Sequence, residues 1–383
     1  MTPTTVYDFK DKVCFVGVGD TDYGALYRTR DPKRNQYTLG VEAFKAALAD
    51  AGLSKDEVDG LVLVRIPSYQ LFADMVGLRY LRTANTFRGE GRMSALAVQY
   101  AAMLIYSGLC STVAVVYGND GRSVGATYGG EGEGSSPYDV IYGMTSPGAA
   151  VAHMWRRYMH QYGAREEHLA AVAISNRRHA ALNPRAVFRE PLTLETYLSS
   201  RYIAAPLRLY DYCLINDGAV ALILTGAERA RDLKKPPVYL TATAACADLT
   251  FFYTVDDFFR DAVRTCAEAV FKASGLGHRD IQVCQIYDNF TPTVIFGLEG
   301  AGFCKYGEGF QFVQDGRISL GGELPVNTSG GHTSESYMQG FGLHAENIRQ
   351  LRGEAGDRQV RDCRVAMYIC PAPICAAHIM TRR

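Results

Sequence analysis

The sequence predicts an α/β protein made of two copies of one strand–helix unit, with mixed sheets covered by helices. The stretch 42–64 has the pattern of an amphipathic helix, a Gly-Leu stop, a short acidic turn and an apolar strand, and 264–290 repeats that order. A second pattern, a helix followed by a strand, begins with the helix at 94–108 and is repeated with a helix at 335–353. Because the spacing between the paired elements is similar, we predict that the whole arrangement occurs twice.

An apolar strand opens each predicted half, at 12–19 in the first and at 237–245 in the second. The charged, proline-containing segment RDLKKPP at 231–237 separates the two. We therefore predict a first half over residues 1–235 and a second half over residues 236–383.

Residues 118–201 of the first half have no counterpart in the second half. They contain the glycine-rich stretch GNDGRSVGATYGGEGEGSS, followed by two helical patterns, HMWRRYMHQYG and EEHLAAVAISNRRHAAL. Glycine at this density is typical of an irregular loop, which is the usual place for a substrate-shaping insertion. We predict a helical and loop insertion here, which serves either as a pocket wall or as a solvated linker.

The composition of the chain excludes several classes of protein. The 383 residues carry 40 basic and 40 acidic side chains, so the charge pattern of a nucleic-acid binder is missing. An apolar leader segment and a run of about 18 apolar residues are also missing, so we expect neither a signal peptide nor a membrane span. The ten cysteines include no C-x-x-C pair and the eight histidines are dispersed, which favours free thiols in the cytoplasm over disulfides or a metal site.

One motif resembles a nucleotide-binding loop but departs from it. The segment GVGDTDYG has glycines at positions 17, 19 and 24, whereas a dinucleotide-binding fingerprint needs its third glycine at position 22, which is Asp22. The following residues also lack the pattern of an apolar helix. We therefore do not expect a dinucleotide site.

The repeat itself indicates where a site would lie. Helices that begin near Gly91 and near Tyr337 occupy equivalent places, 17 and 16 residues before Gly108 and Gly353. In a pseudo-twofold arrangement, two such helix N-termini can face each other. Their N–H groups and positive dipole ends would favour an anion, a thiolate or a developing enolate.

Longer motifs in the chain point to a known family. They are APLRLYDYCLINDGAVALIL (205–224), YDNFTPTVIFGLEGAGFCKYGEG (287–309), GGELPVNTSGG (321–331), NPRAVF (183–188) and a helix that ends in IYSG. In content and order they resemble thiolases of the sterol-carrier-protein type over essentially the whole chain. The resemblance implies the thiolase fold, with two βαβαβαββ halves in five layers, and a dimer.

The positions that are catalytic in such thiolases hold other residues here. The nucleophilic cysteine at the start of a helix corresponds to Gly91 in Gly-Arg-Met-Ser, and the family's two catalytic histidines correspond to Tyr287 and Tyr337. Cys370 stands at the position of the family's acid–base cysteine, but a Pro-Ala-Pro loop follows it in place of a glycine run. A nucleophilic thiol is therefore not expected at the usual place.

Two tyrosines at former histidine positions resemble the thiolase-like steroid side-chain-cleaving aldolases of actinobacteria and proteobacteria. That resemblance implies retro-aldol cleavage of a 17-hydroxy-steroid 20-carboxyl-CoA thioester to a 17-ketosteroid and propionyl-CoA. It implies that CoA enters as part of the substrate and that the chain binds no cofactor of its own. It also implies a zinc-ribbon and OB-fold partner protein, fused to or associated with a hydratase.

The expected chemistry gives each residue a possible role. Breaking a carbon–carbon bond β to a thioester needs a base for the β-hydroxyl, stabilisation of the enolate and a proton for the α-carbon. We expect Tyr287 and Tyr337 to supply the base and the acid, in an order that the sequence leaves open. Backbone N–H groups near Gly91 or Gly331 would form the oxyanion hole, and His332 would either tune Tyr337 or be an ordinary loop residue.

Three points stay open at this level. A free phenol has a pKa of about 10, so we expect one tyrosine to be tuned by its surroundings. A non-catalytic subunit that binds acyl-CoA or lipid would also explain the missing cysteine. An acyltransferase that uses another cysteine, such as Cys110 or Cys370, is the third possibility.

Overall fold

The secondary structure follows the predicted duplication. The computed structural model describes residues 9–29, 31, 33–88, 93–127, 137–144, 146–247 and 256–383. The strands are β1 (Val13–Asp20), β2 (Gly60–Val64), β3 (Thr83–Phe87), β4 (Thr112–Asn119), β5 (Tyr202–Ala204), β6 (Leu207–Arg208), β7 (Gly218–Gly226), β8 (Val238–Ala247), β9 (Val283–Ile286), β10 (Val365–Cys370) and β11 (Ile374–Thr381).

The helices lie between these strands. They are α1 (Tyr23–Arg28), α2 (Gln36–Ala51), α3 (Tyr69–Val76), α4 (Met93–Tyr106), α5 (Pro137–Ile141), α6 (Pro147–Tyr162), α7 (Glu167–Ala181), α8 (Leu194–Ser199), α9 (Ala227–Ala230), α10 (Arg260–Ser274), α11 (Thr291–Gly300), α12 (Gly309–Phe312) and α13 (Phe341–Arg352). A π-helical turn covers Gly331–Glu335. In the described part of the chain, no helix is long and apolar enough to cross a bilayer.

The main sheet is mixed, which confirms the predicted fold class. Its strand order is β3-β2-β4-β7-β1-β8-β11-β10-β9. Neighbours β2/β3, β2/β4 and β9/β10 are parallel, and the other neighbours are antiparallel. The strands of the two halves are joined in this sheet because β1 pairs with β8 through Cys14–Tyr239 and Phe15–Val238.

The two halves repeat the same connections. Helices α2 and α10 each end at a glycine in the left-handed region, Gly52 with φ 72° and Gly275 with φ 73°, as the Gly-Leu stops in the sequence predict. Each is followed by a strand, β2 or β9, that runs parallel to β4 or β10. A single parallel bridge between Cys284 and Val326 takes the place that the β2–β3 pairing has in the first half.

The glycines of the false nucleotide-binding motif allow close helix–strand packing. A Cβ on Gly17 would lie 2.3 Å from the carbonyl oxygen of Ala47, and one on Gly19 would lie 2.2 Å from that of Ala43. Both carbonyls belong to α2. Only glycine lets β1 approach the backbone of this helix so closely.

The predicted insertion packs against the second half. Trp155 and Tyr158 of α6 are buried in one core cluster with Phe258 and Phe296. Tyr158 also contacts the buried carboxylate of Glu299 through its hydroxyl. This part of the insertion is therefore a wall of the core, whereas residues 128–136 of its glycine-rich stretch lie outside the described residues. Helices α4 and α13 contribute to a separate central cluster.

Candidate active site

The structure brings together the two tyrosines that the sequence singles out. The hydroxyl oxygens of Tyr287 and Tyr337 lie 2.7 Å apart, within hydrogen-bond distance, although the residues are 50 positions apart in the chain. Tyr287 is 1% exposed and Tyr337 is 7% exposed. The two phenols therefore form a buried, directly hydrogen-bonded pair.

Tyr287 is placed by the sheet of the second half. It directly follows β9, and its N–H donates to the carbonyl oxygen of Ile369 in β10 at 2.8 Å, which extends the parallel pairing by one residue. Its own carbonyl oxygen accepts from the hydroxyl of Thr293 in α11 at 3.0 Å. The ring is thus fixed at the point where the strand gives way to a helix.

Tyr337 is held by the first half. Its N–H donates to the side-chain oxygen of Asn216 at 2.7 Å, and the side chain of Asn119 donates to the carbonyl oxygen of Asn216 at 2.7 Å. The prediction of a helix that begins near Tyr337 is wrong by four residues, because α13 begins at Phe341. Tyr337 lies instead in the short loop between the π-helical turn and α13.

His332 lies beside both phenol rings and is 1% exposed. Its ring centroid is 4.8 Å from that of Tyr287 and 5.1 Å from that of Tyr337, edge to face in each case. Its Nε2 accepts from the N–H of Gly340 at 3.0 Å, and its Nδ1 lies 3.1 Å from a carboxylate oxygen of Asp288. His332 is therefore buried in contact with both phenol rings, and a role in tuning Tyr337 stays a prediction.

Asp288 organises the turn that carries His332. Its carboxylate accepts from the N–H of His332 at 2.9 Å and from the side-chain amide of Asn176 at 2.7 Å. A Cβ on Gly331, whose φ is 61°, would lie 2.2 Å from a carboxylate oxygen of Asp288. Position 331 therefore requires glycine for both its backbone conformation and its space. An oxyanion-hole role for Gly331 stays a prediction.

The surroundings of Tyr287 keep its phenol protonated. Burial raises the pKa of Tyr287 well above the ordinary value of 10, and the neighbouring Tyr337 and Cys370 raise it further. Tyr287 is therefore not a phenol whose pKa the site lowers. This tyrosine is suited to donate a proton and not to act as a phenolate.

The chain has relatives of the kind that this site indicates. Residues 245–380 match the family model described as Thiolase C-terminal domain-like. A 17-hydroxy-3-oxo-4-pregnene-20-carboxyl-CoA lyase from Mycobacterium tuberculosis is 37% identical over 362 residues, which cover 89% of this chain and 92% of the relative. The chain belongs to the thiolase superfamily.

Two further comparisons place it within the thiolase superfamily. A steroid side-chain-cleaving aldolase from Thermomonospora curvata is 35% identical over 355 residues, which cover 88% of this chain and 89% of the relative. The solved structure of the Ltp2-ChsH2(DUF35) aldolase has a TM-score of 0.90 at 31% identity and covers 98% of this chain and 99% of that chain. The predicted position, in the sterol-carrier-protein-like branch near the steroid aldolases, is confirmed.

The region of the superfamily's nucleophile holds a hydroxyl pair. Gly91, at the cysteine position, lies outside the described residues. In the first turn of α4, the hydroxyl of Ser94 lies 3.1 Å from that of Tyr368. A Cβ on Gly340 would lie 2.4 Å from the hydroxyl oxygen of Ser94 and 2.6 Å from that of Tyr368. This pair was missed in the sequence because Tyr368 lies in an apolar strand without a motif. Its spacing of two from Cys370, which puts both on one strand face, was the available signal.

The two candidate cysteines of the thiolase alternative differ in position. Cys370 is fully buried at the end of β10. It is close enough to Tyr287 and Tyr368 to raise the pKa of both phenols. Cys110 lies beyond the far end of α4, a helix of 14 residues and about 21 Å. Burial and the carboxylate of Asp59 raise the pKa of Cys110, which is the opposite of what an activated nucleophile needs.

A buried carboxyl group completes the turn before Tyr337. Glu335 is 4% exposed, and it accepts from the side-chain amide of Asn183 at 2.8 Å and from the hydroxyl of Ser329 at 2.6 Å. Burial, and then the negative charge of Glu346, raise the pKa of Glu335 from 4.5 to about 8. The folded protein therefore holds a proton here that the unfolded chain releases above its ordinary pKa.

This proton makes the stability of the protein depend on pH. The contribution of Glu335 to the free energy of unfolding should fall by roughly 3–5 kcal/mol between pH values of about 4.5 and 8, since this group is protonated in the folded state and ionised in the unfolded state in that window. Glu335→Gln removes the titration, and its amide can accept from Asn183 through the oxygen and donate to the Ser329 hydroxyl through the nitrogen, so its stability should lose this contribution to the slope. Urea unfolding across this pH range measures both proteins, and equal slopes would contradict the assignment.

Proposed function

We propose that this chain cleaves a 17-hydroxy-steroid 20-carboxyl-CoA thioester into a 17-ketosteroid and propionyl-CoA. The observation that carries the proposal is the 2.7 Å contact between the hydroxyls of Tyr287 and Tyr337. It supplies paired proton-transfer groups at the two positions where the thiolase resemblance expects catalytic histidines. The names of the two relatives with 37% and 35% identity support the same reaction.

The reaction needs no covalent acyl-enzyme. The bond between C17 and C20 breaks, its electron pair becomes the enolate of the thioester, and the 17-hydroxyl loses its proton as the ketone forms. The α-carbon of the enolate then gains one proton, which gives propionyl-CoA. One proton leaves the substrate and one returns, so the balance requires neither a cysteine nor a redox cofactor.

The tyrosine pair can carry both protons as a relay. Tyr337 receives the proton of the 17-hydroxyl and passes its own proton along the 2.7 Å contact to Tyr287, which gives its proton to the enolate carbon. Each phenol is neutral before and after the cycle. This order is supported by the raised pKa of Tyr287, which favours the acid role, and it removes the need for a phenolate base in a buried site.

Other groups near the pair have supporting roles in this proposal. The hydroxyls of Ser94 and Tyr368, 3.1 Å apart next to Gly340, are candidates to donate hydrogen bonds to the enolate oxygen. His332 positions both phenol rings through its edge-to-face contacts. CoA enters as part of the substrate, and the chain needs no cofactor of its own for these steps.

We also propose that the chain works as a homodimer with a zinc-ribbon and OB-fold partner associated with a hydratase. The solved structure of the Ltp2-ChsH2(DUF35) aldolase supports a protein partner, because it superposes over 98% of this chain. In this proposal, both groups that transfer protons, Tyr287 and Tyr337, belong to this chain. The partner would therefore act on assembly or substrate supply rather than contribute the acid or base.

The proposal is tested by incubating the purified chain, alone and co-expressed with a DUF35 partner, with 17-hydroxy-3-oxo-4-pregnene-20-carboxyl-CoA. We expect propionyl-CoA and the 17-ketosteroid in equal amounts by mass spectrometry, and no reaction with the 17-deoxy thioester. Tight binding without cleavage would instead support a non-catalytic subunit. A covalent acyl adduct on a cysteine would support an acyltransferase.

A further inference from the structure

Two buried histidines pack against Tyr368, the phenol of the hydroxyl pair. His344 of α13 is 0% exposed and His378 of β11 is 1% exposed. The ring centroid of Tyr368 lies 4.0 Å from that of His344 and 5.8 Å from that of His378. His378 is also the residue opposite Tyr368 in the pairing of β10 with β11. Three flat rings from three elements therefore pack together next to the contact between Ser94 and Tyr368.

The two imidazoles are neutral and only partly hydrogen-bonded. Burial lowers the pKa of His344 from 6.5 to about 4, and it lowers the pKa of His378 well below 6.5. Among the residues that the structure describes, Nε2 of His344 and Nδ1 of His378 have no hydrogen-bond partner. An unpartnered buried nitrogen destabilises a protein, and a phenylalanine would fill either position without one. Such a group in a core calls for a reason other than stability.

His344 makes one bond that a phenylalanine cannot make. Its Nδ1 donates to the carbonyl oxygen of Gly340 at 2.9 Å, and the N–H of His344 donates to the same oxygen at 3.2 Å. On the other side, the N–H of Gly340 donates to Nε2 of His332 at 3.0 Å. Gly340, with φ 90°, is therefore held between two histidines, one beside the tyrosine pair and one beside the hydroxyl pair.

The backbone of Gly340 lies against both hydroxyls of the second pair. Its Cβ position falls within 2.6 Å of the hydroxyl oxygens of Ser94 and Tyr368. Burial, and then Cys370, raise the pKa of Tyr368 well above 10, and Tyr337 acts in the same direction, so Tyr368 stays protonated and lies close to the tyrosine pair. A shift of Gly340 would therefore displace a hydrogen-bond donor that must be aligned with the phenols.

We infer that His344 is a positioning residue for the formation of the enolate. Through Gly340 and the ring of Tyr368, it holds the hydroxyl pair where the two hydroxyls donate to the enolate oxygen. In this role His344 transfers no proton itself. Donors of this kind stabilise a developing negative charge only when they are fixed before the charge appears. This inference rests on the proposed function, which supplies the enolate.

Two replacements of His344 separate its hydrogen bond from its ring. His344→Phe keeps a ring against Tyr368 and removes the donor to Gly340, whereas His344→Asn keeps an N–H the same number of bonds from the backbone. We expect His344→Phe to lower kcat for the steroid thioester about tenfold at unchanged KM, and His344→Asn to stay within about twofold of the wild type. Wild-type kcat in His344→Phe, or an equal loss in both variants, would overturn the inference.

His378→Phe is the matched control. His378 is buried like His344 and packs on the same phenol, but the described bonds to the carbonyl oxygen of Gly340 come from His344. Its kcat should equal that of the wild type, at a temperature where thermal unfolding shows each variant to be folded. Equal losses in His344→Phe and His378→Phe would indicate an effect of packing on Tyr368 and would overturn the inference.

A measurement without turnover keeps this test separate from the proposed function. Hydrogen exchange followed by mass spectrometry reports how firmly the backbone of residues 336–343 is held. Exchange there should be about tenfold faster in His344→Phe than in the wild type, and unchanged in His378→Phe. Unchanged exchange in both variants would contradict the role of His344. If the wild type cleaves no thioester, the proposed function fails, and the exchange still decides whether His344 fixes Gly340.

Discussion

Cleavage by Tyr287→Phe and by Tyr337→Phe should each fall by a factor of about 10³, within the range for loss of a general acid or base. Each replacement preserves the ring and removes the hydroxyl that passes the proton across the 2.7 Å contact. Because both hydroxyls belong to one relay, the double variant should be no slower than the slower single variant. Steady-state kcat on the steroid thioester measures all three.

The control for this series is Tyr100→Phe. Tyr100 lies on α4 and packs edge to face on Phe87 at 5.5 Å, so its change removes a phenol hydroxyl that the proposed relay does not use. Its kcat and its thermal unfolding should match those of the wild type. Near-normal cleavage by both site variants would exclude the relay, and additive losses in the double variant would indicate two independent roles.

Gly331→Ala should destabilise the protein by about 2–4 kcal/mol and lower kcat by at least about tenfold. Part of the cost comes from the left-handed backbone, φ 61°, which a Cβ disfavours by roughly 1 kcal/mol. The rest comes from the new Cβ, 2.2 Å from a carboxylate oxygen of Asp288, which must move and carry His332 with it. Urea unfolding and kcat give the two effects separately.

Gly356→Ala separates the backbone cost of an alanine at positive φ from the cost of crowding by its Cβ. Gly356 has φ 62°, and a Cβ there would meet no atom within 4 Å, so its change has the backbone cost without the crowding. We expect a loss of about 1 kcal/mol and normal cleavage. If both alanine variants lose the same stability and keep their activity, the Asp288 contact does not control the site.

Local patterns in the sequence predicted much of this molecule. The Gly-Leu stops placed the ends of α2 and α10, since a left-handed glycine has a recognisable position after a helix. The family motifs identified Tyr287 and Tyr337, which the structure brings into contact. In both cases the information lies within a few residues of the feature.

Features that depend on contacts between distant residues were not predictable. Ser94 and Tyr368 are 274 positions apart, and no pattern connects a helix start with an apolar strand. The π-helical turn before Tyr337 has no distinct composition, so the start of α13 was placed four residues too early. The sequence also left open which tyrosine is the acid, because the burial that raises the pKa of Tyr287 is a property of the assembled core.

The hydrogen bonds between Tyr337 and the first half have a consequence for the duplication. The N–H of Tyr337 depends on Asn216, and the N–H of Leu214 donates to the carbonyl oxygen of His332 at 3.0 Å. One copy of the repeated unit thus supplies the scaffold while the other supplies the phenols. The copies are no longer interchangeable, so this internal symmetry yields one asymmetric reaction centre instead of two equivalent ones.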